Sequence, residues 1–199
     1  MAKQFPRLET AQREFLERQK IFFNASAAPE GHVNLSPRDT KFLRVLGNDS
    51  VVYLDMTGSG NETAAHLGIN GRLTLMFCAF EGPPLILRLY GEGRSIRRGS
   101  GEYNRLLDAH FDGQEPLGAR QMIALHIDLV QTSCGYHVPL FEYKGERDTG
   151  VRWAENKGPA GLAAYWREKN QYSIDGFPTG LLEDEAAVFD PVAANPSST

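Results

Sequence analysis

The sequence predicts an α+β fold, in which about six mainly antiparallel strands form a barrel and helices flank it. Short apolar runs, rich in β-branched and aromatic residues and bounded by turn residues, recur through the first two thirds of the chain. Segments with a helical spacing of apolar residues lie at both ends, with only two short ones between strands. Because helices do not alternate regularly with strands, a doubly wound parallel sheet is disfavoured.

The strands are predicted where turn residues separate the apolar runs. Their residues are 21–23, 32–36, 51–56, 72–80, 85–90 and 120–130. Pro37 is expected to end the second strand, because a proline cannot donate to a strand ladder. The turn over 81–84 contains a glycine and two prolines, and it predicts a hairpin between the fourth and fifth strands.

The helices are predicted where apolar residues recur every three or four positions. Their residues are 8–20, 64–67, 100–111 and 153–169. Asn70 and Gly71 are expected to end the second helix, and Gly158 with Pro159 must break or restart the last one. Residues 1–180 are predicted to form one domain. Residues 181–199, which are acidic and then rich in small residues and proline, are predicted to be a flexible tail.

The composition restricts the classes of function. The 199 residues are 41% hydrophobic and 23% charged, which is ordinary for a globular domain that needs no disulfide. A net charge of −4 disfavours a nucleic-acid partner, and the sequence shows neither a leader segment nor a membrane span. The five histidines lack the spacing of metal ligands. We therefore expect a cytoplasmic protein without a metal site, with Cys78 and Cys134 as reduced thiols.

The strongest candidate for a binding site is the strand, glycine-containing loop and helix over residues 53–67. Amide groups at the start of the helix, together with the hydroxyls of Thr57, Ser59 and Thr63, are suited to holding a phosphate. A capping box is the alternative: Ser59 would cap the helix and Glu62 would reach back to it. Both interpretations are open on the residues alone.

A second candidate segment follows the first hairpin turn. Asn34 and Ser36 share one face of a strand, because side chains alternate along it. Arg38 can offer a fork of donors to a phosphate. An ordinary polar strand edge with a surface arginine is the alternative for all three residues.

Other polar residues are predicted to be structural. Arg94, Arg97 and Arg98 form the densest basic cluster and stand beside glycines. This pattern is typical of a solvated hairpin end, with anion binding as the alternative. His66 is expected on the surface of the short helix after the loop.

Two segments together, residues 32–38 and 52–63, resemble the pyridoxamine phosphate oxidase-like FMN-binding proteins. Three further segments fit the same pattern: residues 73–80, 87–91 and 131–136. The resemblance extends from about residue 15 to about residue 143, and the helix over 153–176 is similar to that of an uncharacterised branch of the family.

The resemblance implies a split β-barrel that forms a homodimer and binds FMN where the two subunits meet. The residues that it implies for the flavin phosphate and ribityl chain are Asn34, Ser36, Arg38, Thr57, Ser59, Asn61 and Thr63. The residues that it implies for the isoalloxazine pocket, completed by the second subunit, are Arg88, Gln131 and Tyr136.

The activity that the resemblance implies is that of an FMN-dependent oxidoreductase acting on a small molecule. The flavin would supply the chemistry, which agrees with a sequence that shows no catalytic triad or carboxylate pair. The chain has Glu62 and Thr63 where the oxidases that name the family carry an arginine–lysine pair, and it lacks their basic, aromatic C-terminus. These differences predict another substrate. They leave open a non-catalytic flavin- or haem-binding protein, and a cofactor-free interaction protein.

Overall fold

The computed structural model describes residues 2–182. The strands are β1 (Lys3–Phe5), β2 (Ile21–Ser26), β3 (Asn34–Asp39), β4 (Leu43–Val45), β5 (Ser50–Met56), β6 (Arg72–Cys78), β7 (Leu85–Arg97) and β8 (Ala119–Cys134). The helices are α1 (Thr10–Arg18), α2 (Glu62–Asn70), α3 (Gly101–His110) and α4 (Thr149–Lys169), with a single 3-10 turn at Thr40–Phe42. Of the predicted tail over residues 181–199, residues 183–199 lie outside the described residues, and Leu181 is buried.

All strand pairs are antiparallel, and the sheet runs in the order β3-β2-β6-β7-β8-β5-β4, with β1 added beside β8. The sheet curls into a half-barrel around one apolar core, to which Phe22, Leu75, Phe77 and Leu89 contribute fully buried side chains. The predicted α+β class with a mainly antiparallel barrel is confirmed. The strands β1 and β4 were not predicted, since three residues are too few to show an alternating pattern.

β3 continues through Pro37, where the sequence predicted its end. Pro37 lies opposite Phe23 of β2, and β3 stands at the edge of the sheet. A proline is tolerated on an edge strand because its missing N–H need not interrupt a ladder on the open side. The edge strand therefore extends to Asp39 and carries Arg38 with it.

β7 and β8 form the longest ladder of the sheet and extend beyond their predicted ends. The register shifts between Tyr90 and Gly91, where an extra residue of β8 forms a bulge. A Cβ atom at Gly91 would collide with the backbone carbonyl of His126. A glycine is therefore needed where the two backbones approach most closely.

The helix ends follow the turn chemistry in the sequence. Gly71 ends α2 with a φ of +68°, as predicted, because a residue without Cβ adopts this left-handed conformation readily. Gly158 interrupts α4 with a φ of +62° just before Pro159, which confirms the predicted break.

Cys78 and Cys134 are free thiols. Within residues 2–182, no helix combines the length and the apolar character that crossing a membrane requires.

Candidate functional site

The loop between β5 and α2 forms a corner with an open helix start. Asn61, not Ser59, is the N-cap residue of α2, so the capping-box interpretation is wrong. Ser59 is exposed, and Glu62 is the first helical residue, with its carboxylate folded against Gly60. The side chain of Asn61 accepts no hydrogen bond from the backbone N–H groups of the first turn. The first N–H groups of α2 therefore lack the usual side-chain acceptor and can receive one from a ligand.

Asn34 and Ser36 lie on one face of β3, as predicted, and this face points toward α2. The amide nitrogen of Asn34 donates to the hydroxyl of Thr63 at 3.0 Å, and its carbonyl oxygen accepts from Ser36 at 3.0 Å. The amide of Asn24 on β2 donates to the same Thr63 hydroxyl at 2.7 Å. The structure thus brings three predicted site residues together, and their hydrogen bonds join β2 and β3 to the first turn of α2.

His66 lies on the buried face of α2, so the predicted surface position is wrong. Its ring is fully buried, and Nδ1 lies 3.0 Å from the hydroxyl of Ser26. The cause is the packing of α2 against the sheet, which turns Ala64, Ala65 and His66 inward together.

Within residues 2–182, no group of three histidine, cysteine or acidic side chains is arranged to hold a metal ion.

A buried charge network lies beneath the corner and is centred on Asp55. Its carboxylate accepts from Nε of Arg120 at 2.8 Å and from the amide of Gln121 at 2.8 Å, and it lies 3.3 Å from the guanidinium of Arg38. Burial opposes its ionisation, but Arg120 and Arg38 outweigh burial and hold the pKa of Asp55 below its usual value. Burial also opposes the charge of Arg38, yet Asp55 raises the pKa of that guanidinium overall. Arg38 is therefore placed by an ion pair inside the fold.

The end of α4 and the segment after it close the corner from the opposite side. The indole of Trp166 donates to the hydroxyl of Thr57 at 2.8 Å, and the amide of Asn170 donates to the Gly58 carbonyl at 3.1 Å. Asn61 accepts from Gln121 at 2.7 Å and donates to the Asn170 carbonyl at 3.4 Å. Thr57 and Asn61, both predicted as ligand residues, thus connect the loop to the rest of the protein.

A groove of about 600 Å³, here called the corner groove, opens between β3, the loop and the segment after α4. Its walls include Asn34, Ser59, Gly60, Glu62, Lys169 and Tyr172. Lys169 and Glu62 bring opposite charges to the two sides. At one end His32 contacts Asp175 at 2.6 Å, and the backbone N–H of His32 donates to the same carboxylate at 2.8 Å. Both bonds from His32 lower the pKa of Asp175.

Four large apolar side chains are exposed on the rim of the corner groove. Val33, Leu35, Tyr172 and Ile174 line the groove, and each is between 59% and 73% exposed. Large apolar side chains that stand together in water are typical of a surface that another molecule covers.

A second, larger groove of about 1160 Å³ lies at the other end of β3 and is called the wide groove. It runs between α1, the β6–β7 turn and residues 141–147, and Pro37, Arg38 and Asp39 form part of its wall. Nε of Arg38 is buried without a hydrogen-bond partner among the described residues. β3 therefore connects the two grooves, with Asn34 at one and Arg38 at the other.

The three residues implied for the second subunit's side of the pocket lie apart from both grooves. Arg88 and Gln131 are paired across β7 and β8, where Arg88 donates to Ser133 and Gln131 accepts from Tyr90. Tyr136 follows β8 and is 76% exposed. Their role toward a flavin stays a prediction, as does that of the seven residues at β3 and the corner.

Sequence reasoning missed the residues that hold the corner in place. Asp55 was a usable signal, since a lone carboxylate in an apolar strand must find a buried partner. Trp166 and Asn170 carried no such signal, because nothing in a helical pattern tells which side chain reaches a loop more than a hundred positions earlier.

Comparisons with known proteins agree with this architecture. A family model described as pyridoxamine 5′-phosphate oxidase matches residues 8–134. The chain is 37% identical over 185 residues to the pyridoxamine 5′-phosphate oxidase family protein ustO of Aspergillus flavus. The alignment covers 83% of this chain and 73% of that protein.

Two solved structures are similar to this chain at low sequence identity. A tagged HupZ variant from Group A Streptococcus has a TM-score of 0.50 and 13% identity, over 63% of this chain and 99% of that one. An FMN-binding protein from Syntrophomonas wolfei has a TM-score of 0.40 and 15% identity, over 60% of this chain and 86% of that one.

Proposed function

The chain belongs to the pyridoxamine 5′-phosphate oxidase family, and on that premise we propose that it is an FMN-dependent oxidoreductase acting on a small organic molecule. The observation that carries this proposal is the corner groove at the start of α2, where no side chain caps the first turn and a phosphate can be received. The flavin ring accepts and donates the electrons when it is bound.

The protein's own residues would bind and orient the cofactor. Ser59 offers a hydroxyl beside the first turn of α2, and Lys169 offers a positive charge across the groove. The bonds of Thr57 and Asn61 to the C-terminal segment fix the shape of the loop, so its amides need not reorganise on binding. Such preorganisation lowers the entropic cost of binding.

We place the remainder of the flavin along β3. Residues 34 and 38 are about 13 Å apart at the usual rise of a strand, so an extended FMN molecule can reach from the corner groove to Arg38. The Arg38 side chain, which is 26% exposed and lines the wide groove, can then donate to a polar group of the ligand. This placement accounts for the shared face of Asn34, Ser36 and Arg38.

We further propose that the protein works as a homodimer. The apolar rim of the corner groove, with Val33, Leu35 and Ile174, supplies a surface that a second copy would cover. A subunit seated there would close the groove and exclude water from the flavin. Arg88, Gln131 and Tyr136 are the residues that we expect the second copy to bring.

The test compares FMN with riboflavin, which lacks the phosphate. Ser59→Asp places a carboxylate beside the expected phosphate at an exposed position, so we expect FMN affinity to fall at least about tenfold while riboflavin affinity is unchanged. Asn104→Asp adds the same charge on the exposed face of α3 and serves as the matched control. Binding is followed by flavin fluorescence. Equal losses for FMN and riboflavin would refute the phosphate position.

Glu62 favours a second candidate, a flavin- or haem-binding protein without turnover. Its carboxylate folds against Gly60 at the corner, where it repels an approaching phosphate. Visible spectra of the purified protein with added FMN or haem distinguish the two cofactors. Reduction of bound flavin by nicotinamide donors, with sustained turnover of a small substrate, supports the enzyme; bound cofactor without turnover supports this second candidate.

A further inference from the structure

The wide groove differs in chemistry from the corner groove at the other end of β3. The corner groove has polar walls near its loop, where Asn34, Ser59 and Glu62 lie. Apolar and aromatic side chains line much of the wide groove, among them Phe15, Pro37, Phe80, Leu85, Phe141 and Tyr143. β3 therefore joins a groove that suits a phosphate to a groove that suits an aromatic ring.

Two aromatic side chains of the wide groove are partly exposed but held in place. Phe141 is 60% exposed and Tyr143 is 43% exposed. The backbone N–H of Phe141 donates to the Phe80 carbonyl at 2.9 Å, and the centroids of the two rings are 5.4 Å apart. The backbone N–H of Tyr143 donates to Glu81 at 3.3 Å, and the Lys20 ammonium lies 5.6 Å from the Tyr143 ring centroid. Rings that are placed before a ligand arrives lower the entropic cost of binding it.

A salt bridge fixes the other end of the same segment. Nζ of Lys41 lies 2.5 Å from the carboxylate of Glu146 and 3.0 Å from that of Asp39 in β3. Residues 141–147 are thus tied both to the β6–β7 turn and to β3, and they form a wall of the groove. The groove has a volume of about 1160 Å³, which exceeds the usual range for the pocket of one ligand. It therefore leaves room for a molecule beside a flavin ring.

Arg38 connects this groove to the proposed flavin site. A substrate must lie against the flavin ring in order to react. With the phosphate in the corner groove, the proposed placement along β3 brings the ring toward Arg38, and Arg38 lines the wide groove. A molecule that touches the ring at this end of β3 must therefore lie in the wide groove.

The charged side chains around the wide groove do not select one sign of ligand charge. Arg18 and Lys20 are basic, whereas Glu81 and Glu142 are acidic, and all four line the groove. Burying a charged group against the apolar walls costs free energy, because the group loses its hydration. Both features favour an uncharged molecule over a phosphorylated one.

We propose that the wide groove binds the substrate, and that the substrate is an uncharged aromatic molecule that packs against Phe141 and Tyr143. This assignment rests on the proposed flavin function, because a bound flavin is what makes the occupant of the groove a substrate. The apolar walls give a physical reason for the different substrate that Glu62 and Thr63 predict.

The test is the binding of N-phenyl-1-naphthylamine, an uncharged aromatic probe, to the full chain without FMN, followed by the rise in probe fluorescence. We expect one saturable site per chain. Phe141→Ser removes a ring that is already largely exposed, so the fold should tolerate it while the affinity for the probe falls about fivefold or more. Leu140→Ser is the matched control. Leu140 is 73% exposed and lies outside the wall of the groove, so the affinity should stay within about twofold.

A charged analogue tests the class of ligand. 1-Anilinonaphthalene-8-sulfonate carries the same rings with an added sulfonate, and we expect it to bind about threefold more weakly or worse. Tighter binding of the sulfonate would overturn the uncharged class. Absence of saturable binding of the uncharged probe, or equal losses in Phe141→Ser and Leu140→Ser, would overturn the site.

Equilibrium dialysis of the probe against the FMN-loaded chain tests the relation to the flavin. We expect the probe and FMN to bind together, with the affinity for the probe unchanged or higher. Displacement of the probe by FMN would show that the flavin itself fills the groove, and it would overturn the proposal. A chain that binds the probe through Phe141 but takes up no FMN would instead refute the flavin function, and with it the role of the groove as a substrate site.

Discussion

The indole N–H of Trp166 donates a 2.8 Å hydrogen bond to the hydroxyl oxygen of Thr57, and the same hydroxyl donates to the backbone carbonyl of Gly118 at 2.7 Å. One side chain of α4 is thereby linked to the loop before α2 and to the start of β8. The shape of the proposed phosphate site therefore depends on a helix at the other end of the chain.

Replacing Trp166 with phenylalanine tests this dependence. Trp166→Phe keeps most of the apolar contact but removes the donor, so we expect the free energy of unfolding to fall by about 1 to 3 kcal/mol. FMN affinity is expected to fall severalfold because the loop is held less firmly. Trp153→Phe is the control, since Trp153 packs edge-on against Tyr165 within α4. Urea unfolding measures the loss of stability, and FMN titration measures the loss of affinity. An equal loss of affinity in both variants would show that the effect comes from helix stability alone.

The buried carboxylate of Asp55 should make stability depend on pH in the acid range. Its pKa is lower in the folded chain than in the unfolded chain, so the folded state binds this proton less readily. The stabilisation is thus fully present above about pH 4 and is lost as the pH falls through the folded pKa. Urea midpoints between about pH 3 and pH 7 should show this loss.

Asp55→Asn isolates that contribution. At neutral pH we expect a loss of about 3 to 5 kcal/mol, because Arg38 and Arg120 keep their charges without the carboxylate between them. The fall in stability between neutral and acid pH should be smaller in this variant than in the natural sequence. Glu102→Gln breaks a half-exposed pair with Arg94 and should cost at most about 1 kcal/mol. An equal fall in stability with pH in Asp55→Asn and in the natural sequence would show that other carboxylates cause the pH dependence.

The sheet and the helix ends were predictable because their signals are local. The apolar run of β5, the left-handed Gly71 and the break at Gly158 each follow from a few neighbouring residues. The corner was predictable as a segment but not in its bonds. Asp55 finds its partner 65 positions later, and Thr57 finds Trp166 109 positions later. Such contacts arise only when the sheet has curled, and the buried position of His66 has the same origin.

The carboxylate of Glu62 should weaken FMN binding, so replacing it with a neutral glutamine should raise FMN affinity. In Glu62→Gln the side chain keeps its size against Gly60 but loses the charge that faces the expected phosphate. We expect FMN affinity to rise severalfold and riboflavin affinity to stay the same. Glu14→Gln, on the exposed face of α1, changes the net charge equally and should affect neither ligand. No gain in Glu62→Gln would place the phosphate away from this carboxylate.

Leu35 should decide whether a second copy covers the corner groove. It lies on the outward face of the edge strand β3, is 63% exposed and stands beside Val33 and Ile174 on the groove rim. Leu35→Glu places a charge in the proposed contact, and desolvating that charge would oppose association. We expect a dimer for the natural sequence and a monomer for the variant by sedimentation velocity.

A matched control variant shows whether the effect is specific to the groove rim or follows from any charge added to the surface. Val151→Glu alters another exposed apolar residue, at the start of α4, and should leave the dimer intact. Because the second copy is proposed to complete the flavin pocket, the Leu35→Glu monomer should also bind both FMN and riboflavin more weakly, unlike Ser59→Asp, which should affect FMN alone. A dimer that survives Leu35→Glu with full flavin affinity would show that the two subunits meet through another surface.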